Sequence, residues 1–347
     1  MPAILTHDFF GRDMIDSASK FVELHTEAER DAFLLGNQGP DPLFYIAPDV
    51  RYKEFRKLGN IMHNRKTNKL LLGMRQAVDS LSAYDKPVGR AWAAGFLCHY
   101  ALDSSEHPLI FSQQFAICDA GVEGLDRSDG SEVHAEIERD LDEAVLYCKR
   151  GVTIEDYKPY AEVLKASPQT LATIGKVLSG MCRYALDVEV PETLYATAVK
   201  EFRIIQHFAY STAGGKRKLA NIVEKGLMRR RHSFYGSMSH RARASADSAF
   251  DNAEHNDWEN PFTGQVSSLG FWDIFYTSQG KATGCIRTFF ADGFDEEGAR
   301  AISRGLNFSG KPIGRAPAAE VSTVTFEESV PVRADFVPED DDEDGEA

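Results

Sequence analysis

The sequence predicts an all-α protein: a single multi-helix domain over about residues 1–310, followed by a loose extension over 311–347. Three observations carry this. Apolar residues recur at three- and four-residue steps through most of the chain, the period of one helix face. Runs that alternate apolar and polar residues, the mark of a half-buried strand, are nearly absent. Segment boundaries fall at helix punctuation, with Ser or Pro at starts and Gly or Pro past the ends.

Taken in order, "EAERDAFLLGNQGPDP" reads as helix to Gly36 and then breaks into a Gly/Pro turn. From about Lys53 to Ser82, Phe55, Leu58, Ile61, Met62, Leu70, Leu71, Met74 and Val78 form one amphipathic pattern. Pro87 opens "PVGRAWAAGFLCHYALDSSEHP", which is apolar nearly all round and therefore a buried helix, with Pro108 marking its end. "SEVHAEIERDLDEAVLYCKRG" starts on the N-cap residue Ser131 and closes on Gly151. Further helices are expected over 168–187, over 191–210 behind Pro191, and over 216–231. "SLGFWDIFYTSQGKATGCIRTFF" is another, and "DEEGARAISRGL" a short last one. The connections 109–130 and 232–265 are long for a compact domain, a length usually reserved for functional or mobile loops. No internal repeat is visible.

Composition bounds the function. The chain has 347 residues, enough for a substantial core, and 43% of them are hydrophobic, as in a soluble globular protein. A formal charge of −14 argues against general nucleic-acid binding, because phosphate backbones attract basic surfaces. Much of the acidity lies in "PEDDDEDGEA", residues 338–347, which has no apolar face to bury and reads as a disordered tail. The one basic stretch, "RRRHSFYGSMSHRARA" from Arg229, could meet lipid phosphates, although a solvated helix end in an acidic protein is the more economical reading. Five cysteines, an odd number without C-x-x-C, suit free thiols in a reducing compartment. "MPAILTHDFFGRD" has no basic region leading into an apolar one, so no secretory signal is visible and a cytoplasmic location is expected. No apolar run reaches the ~18–20 residues of a membrane span.

One stretch does not read as plain core. "HYALDSSEHP" places His99, Asp103 and His107 at four-residue intervals, one above another on a helix face. Imidazole nitrogen and carboxylate oxygen are zinc ligands, and a carboxylate can bridge two ions. Alone, the pattern is more often a hydrogen-bonded core histidine beside an ion pair. "HAEIE" adds His134 and Glu138, again four apart on a separate helix, although their charged flanks also suit a solvated face. His63 lies on a third helix, His7 in the amino-terminal segment, and Asp41 in the Gly/Pro turn.

In chain order these residues spell H…D…H…H-x3-D-x3-H…H-x3-E. With "GPDPLFY" and "HYALD…HP" around them, they resemble the zinc-dependent phospholipase C family, whose fold and ligand pattern the single-strand-specific zinc nucleases share. The resemblance covers residues 5–140 by motif and extends to about 305 by helical character. It implies an all-helical fold around two or three zinc ions. By that resemblance, His63, His99 and Asp103 hold one ion, Asp103 bridges to a second bound by His7, and His107, His134 and Glu138 hold a third. Asp41 stands beside the first, as a ligand or as the base for attacking water. Two departures are visible. Secreted members complete one site with an N-terminal tryptophan that this chain lacks, and the step from Asp103 to His107 is one or two residues shorter than in the toxins.

The chemistry so implied is hydrolysis of a phosphodiester by a metal-bound hydroxide, with a phospholipid as the first candidate substrate. Phe44 and Tyr45 could wall a headgroup pocket, where a choline would meet their rings by cation–π contact; docking into the core is an equally good reading. In "AEHNDWENPF", His255 and Trp258 are the residues to watch. Two other readings remain open: a nuclease or small-molecule phosphodiesterase on the same scaffold, and a non-catalytic helical protein stapled by zinc. The oligomeric state has no signature in the sequence.

Overall fold

The apolar segment after Pro87 becomes the axis of the fold. The computed structural model describes residues 3–46, 49–121, 125–154, 156–209 and 248–313. In it α5 runs from Lys86 to Cys118, straight through Pro108. This overturns the expected end at that proline. Pro108 has no N–H for the Ser104 carbonyl, yet packing holds the helix course. Gly310 lies so close that a Cβ there would sit 2.7 Å from Pro108 Cγ and 2.9 Å from the Ser104 oxygen. Half of the expected loop 109–130 is therefore helix.

The other helices wrap this axis, each burying an apolar stripe against it or against a neighbour. In order they are α1 (Ile4–Ala18), α2 (Glu27–Gly36), α3 (Leu58–Asn64), α4 (Thr67–Asp79), α5, α6 (Gly130–Arg150), α7 (Pro159–Glu162), α8 (Pro168–Leu186) and α9 (Leu194–Ala209), then α10 (Phe271–Phe289) and α11 (Glu296–Ser303). Short 3-10 turns lie at Asp41–Ile46, Val50–Phe55 and Arg127–Asp129. Among the described residues the only ladder pairs Trp258–Glu259 antiparallel with Val266–Ser267. The protein is thus all-α, as its periodicity predicts.

α2 crosses α5 at close range. A Cβ on Gly36 would lie 2.1 Å from the Trp92 carbonyl, and one on Gly95 would lie 2.0 Å from that of Phe33. Side chains would force these helices apart, so two glycines set the crossing. Trp92, Phe96, Phe33 and Phe10 are buried in the core around it.

Several element boundaries differ from the sequence reading, for tertiary reasons. The run 53–82 is divided: α3 ends at Asn64, Lys66 takes a left-handed conformation (φ 56°), and α4 begins at Thr67. The segment after α11 takes up the freed backbone, since Phe308 N–H donates to the His63 carbonyl at 3.1 Å. The amino-terminal segment, which carries no helix signal of its own, forms α1. Its cap comes from far away: the Asp142 carboxylate on α6 accepts from Leu5 N (3.0 Å), Thr6 N (2.8 Å) and Thr6 Oγ (2.6 Å). α6 starts on Asp129 rather than Ser131, and ends as expected with Gly151 left-handed. The expected helix at 216–231, the basic stretch 229–244 and the acidic tail lie outside the described residues. No helix among the described residues is long and apolar enough to cross a membrane.

Candidate metal centre

Every one of the eight predicted histidines and carboxylates is buried, with none more than 6% exposed. α5 supplies His99, Asp103 and His107, α6 supplies His134 and Glu138, α1 supplies His7, α3 supplies His63, and the 3-10 turn at 41–46 begins with Asp41. The charged flank of "HAEIE" is not a solvated face: Glu132 and Arg139 are buried beside the two candidate ligands.

Asp103 stands at the middle. Its Oδ1 is 3.2 Å from His7 Nε2, and its Oδ2 is 3.1 Å from His99 Nε2 and 3.6 Å from His63 Nε2. Asp41 Oδ1 lies 3.0 Å from His63 Nε2 and 3.9 Å from His99 Nε2. One turn further along α5, His107 Nε2 is 3.4 Å from Glu138 Oε1, and His134 Nε2 is 3.2 Å from the same oxygen. Three donor groups result, each within 4.8 Å: His7, Asp41 and His99; His63, His99 and Asp103; His107, His134 and Glu138.

Four of the five outward nitrogens are tied down, the exception being His7 Nδ1. His63 Nδ1 donates to the Gly59 carbonyl (2.7 Å), His99 Nδ1 to that of Asn37 (3.2 Å) and His107 Nδ1 to that of Phe308 (3.0 Å). His134 Nδ1 donates to Gln114 Oε1 at 2.9 Å. A carbonyl only accepts, so each Nδ1 carries a proton and each Nε2 turns toward the carboxylates. The Nε2 atoms of His63, His99 and His134, with Asp41 Oδ1, Asp103 Oδ2 and Glu138 Oε2, are sealed from water and have no hydrogen bond. All but Glu138 Oε2 stand at ion-pair distance from a partner without hydrogen-bond alignment. Buried polar atoms left so are costly, and a shared cation would satisfy them together.

Electrostatics point the same way. Burial opposes charge on His7 and His107, but Asp103, joined at His107 by Glu138, overrides it and raises them to about 9 and about 10. Burial also opposes ionisation of Asp103 and Glu138, yet the surrounding imidazoles hold both below the usual carboxylate range. Burial lowers His99 and His134. The carboxylates thus draw positive charge into a dry pocket, where a divalent ion would take the place of protons.

A family model described as zinc dependent phospholipase C matches residues 6–260. The chain belongs to that family. No curated protein matches, and no solved structure does. The match takes in all eight candidate residues, from His7 to Glu138. For a zinc-dependent phospholipase C the donor set is apt, since imidazole and carboxylate are zinc ligands and six of their buried atoms lack partners. The residues present therefore fit the ion that the family requires.

The aromatic residues divide. The Phe44 ring is half-buried and lies 5.2 Å from the His63 ring, beside the centre. Tyr45 is not brought there: it is fully buried and stacks on Phe202 at 3.8 Å. Neighbouring side chains leave a 3-10 turn in different directions, so the two rings part. His255 and Trp258 also stay away. His255 is exposed near Asp273, and Trp258 Nε1 donates to the Leu269 carbonyl at the hairpin base. Phe262 of the same stretch is what approaches, 5.2 Å from Phe111, whose ring is 4.8 Å from His134.

Sequence reasoning missed several contributors. Gly39 adopts φ 52°, and a Cβ there would lie 2.1 Å from His99 Cδ2. Gln114 sits seven residues after His107, two turns on, and a helix extended past Pro108 would have shown it on the same face. Glu106 lies inside the quoted motif. Phe308 gives no signal in sequence.

Proposed function

We propose that this chain is a zinc-dependent phosphodiesterase that cleaves a phospholipid in the manner of a phospholipase C, releasing diacylglycerol. The observation that supports this best is the convergence of three buried His/carboxylate groups in which six side-chain atoms have no hydrogen-bond partner. In this reading His63, His99 and Asp103 hold one ion, His7 shares Asp103 for a second, and His107, His134 and Glu138 hold a third. Bound zinc acidifies water near neutral pH and neutralises charge on phosphate oxygens.

The chain's own residues do the rest. Asp103 offers one oxygen to each side and so ties the groups together. The carbonyls of Gly59, Asn37 and Phe308, with Gln114, fix the imidazole orientations. Asp41 Oδ1 has no donor of its own and faces the centre, so it orients or deprotonates the attacking water. Phe44 walls the headgroup. Nuclease and small-molecule phosphodiesterase activity are separated from this reading by substrate.

The test begins with zinc content by elemental mass spectrometry, on wild type and a His99→Ala/His134→Ala double variant. Bound zinc lost in the double variant is expected. Short-chain phosphatidylcholine, single-stranded DNA and a simple aryl phosphodiester are then offered. Asp41→Asn is expected to keep zinc and lose ~10²–10⁴-fold in turnover. Hydrolysis of the nucleic acid alone would overturn the lipid assignment, and unchanged turnover in Asp41→Asn would remove Asp41 from the mechanism.

A further inference from the structure

Glu106 belongs to no group described so far. It follows Asp103 by three residues on α5, so its side chain leaves the same face. It lines the cavity between α1, α5 and α6 together with His7, Asp103, His107 and Glu138. It is 6% exposed, and its Oε1 is sealed from water with no hydrogen-bond partner. No Lys or Arg pairs with it among the described residues. A buried carboxyl oxygen left without a donor is costly for a purely structural residue.

We propose that Glu106 is a further metal ligand, joining His7 Nε2 and Asp103 Oδ1 around one ion. The inference rests on the zinc reading above and deepens it. Asp103 Oδ1 and His7 Nε2, 3.2 Å apart, already form two donors on this side of the centre. The opposite oxygen, Oδ2, faces His99 and His63. Zinc takes about four ligands, and carboxylate oxygen is among the usual ones. Glu106 lines one cavity with His7 and Asp103, and the group at His107 already has three donors of its own, so the His7 side is the one a further carboxyl completes. The carboxyls of Glu106, Asp103 and Glu138 line this one cavity and would repel one another without a cation. A cation between them turns that repulsion into shared coordination.

The experiment compares full-length wild type, Glu106→Gln, Glu106→Asp and the His99→Ala/His134→Ala double variant. Zinc per chain is counted by elemental mass spectrometry, and zinc release to a chromogenic chelator is timed. Glu106→Gln is expected to carry one zinc fewer, or to release one zinc at least tenfold faster. Glu106→Asp is expected to fall between it and wild type. Anomalous diffraction at the zinc edge should place a Glu106 oxygen at ~2.0–2.2 Å from an ion. Zinc count and release unchanged in Glu106→Gln, with zinc lost from the double variant, overturns the Glu106 assignment and leaves the centre standing. Wild type that binds no zinc overturns both. Should Glu106→Gln fail to fold, Glu106→Asp decides: wild-type release from it, or a carboxyl more than ~3 Å from every ion, ends the proposal.

Discussion

Replacing Gly39 by alanine tests whether the turn before Asp41 is shaped around His99. Gly39 has φ 52°, and an added Cβ would meet His99 Cδ2 at 2.1 Å and Cγ at 2.5 Å. Carbon contacts settle near 3.5–4.0 Å, so over an ångström of overlap must be relieved by moving the turn or the imidazole. The left-handed backbone alone costs an alanine ~1–2 kcal/mol. Overpacking of a tight site adds ~1–3 kcal/mol. The stiffer unfolded chain returns ~0.4–1 kcal/mol. The sum is a loss of roughly 2–4 kcal/mol, or ~1 M in urea midpoint at a slope of about 3 kcal/mol per M. Gly151 is the control: it has φ 65° and nothing within 4 Å of its added Cβ. Gly151→Ala should therefore show only the backbone part, about 0.5–1.5 kcal/mol. His99 is also a candidate ligand, so Gly39→Ala should weaken zinc binding ~10–100-fold, while Gly151→Ala should leave it intact. Urea titrations of the two variants with matched zinc measurements decide the matter. Equal destabilisation in both, with zinc unchanged in Gly39→Ala, would refute the reasoning.

Gln114→Leu removes the acceptor that fixes His134 Nδ1; zinc affinity should fall ~10–100-fold, and wild-type affinity by chelator competition would show the contact to be idle. Lys281, on α10, donates to the Ser104 and Ser105 hydroxyls at 2.8 and 3.0 Å, and burial lowers its pKa from 10.5 to about 8. The folded state then binds this proton less tightly than the unfolded state, so stability is reduced in full below pH 8 and recovers as pH rises from 8 toward 10.5. The shift sets a ceiling of ~3 kcal/mol, and partial exposure reduces it to about 1–2 kcal/mol. Lys281→Met should flatten that rise in urea midpoint across the window, and an identical pH profile would contradict the assignment. Of five cysteines only Cys148 is exposed, while Cys98, Cys118, Cys182 and Cys285 are buried and unpaired in disulfides. A thiol reagent should therefore titrate one group quickly in native protein and the rest on unfolding. Fast reaction of two or more would show that the core opens.

What could be read from sequence was what is local. The apolar stripes of α4, α8 and α10 and the four-residue spacing of His99, Asp103 and His107 are periodic signals, and the helices stand where the period puts them. Proline and serine rules failed where a distant segment took over their work. Pro108 does not end α5, because Gly310 packs against its ring. Ser131 does not cap α6, because Asp126 and Asp129 wind a 3-10 turn one step earlier. The acceptors that orient the imidazoles are mostly backbone carbonyls, which no residue type announces. Phe308, some 200 positions beyond His107, supplies one of them. The separation of Phe44 from Tyr45 follows from the pitch of a 3-10 turn, and a helix reading of the same residues would have left them closer.

α6 shows how one stripe can serve both the centre and the fold. His134, Glu138 and Asp142 follow at four-residue steps on a single face, and all three are buried. The first two converge with His107. The third accepts from the backbone and hydroxyl at the start of α1, satisfying donors that the helix itself leaves open. His7 follows Thr6 directly, so the same carboxylate that caps α1 sets where His7 Nε2 meets Asp103. Burial raises the Asp142 carboxyl to about 7 against the pull of the Thr6 and Leu5 donors, and the positive end of the α1 dipole favours its ionised form. The candidate ligand on α1 is thereby positioned from α6, which couples the two sides of the centre. A charged face that sequence alone would leave in solvent is instead the surface on which the amino terminus and the candidate zinc site are assembled.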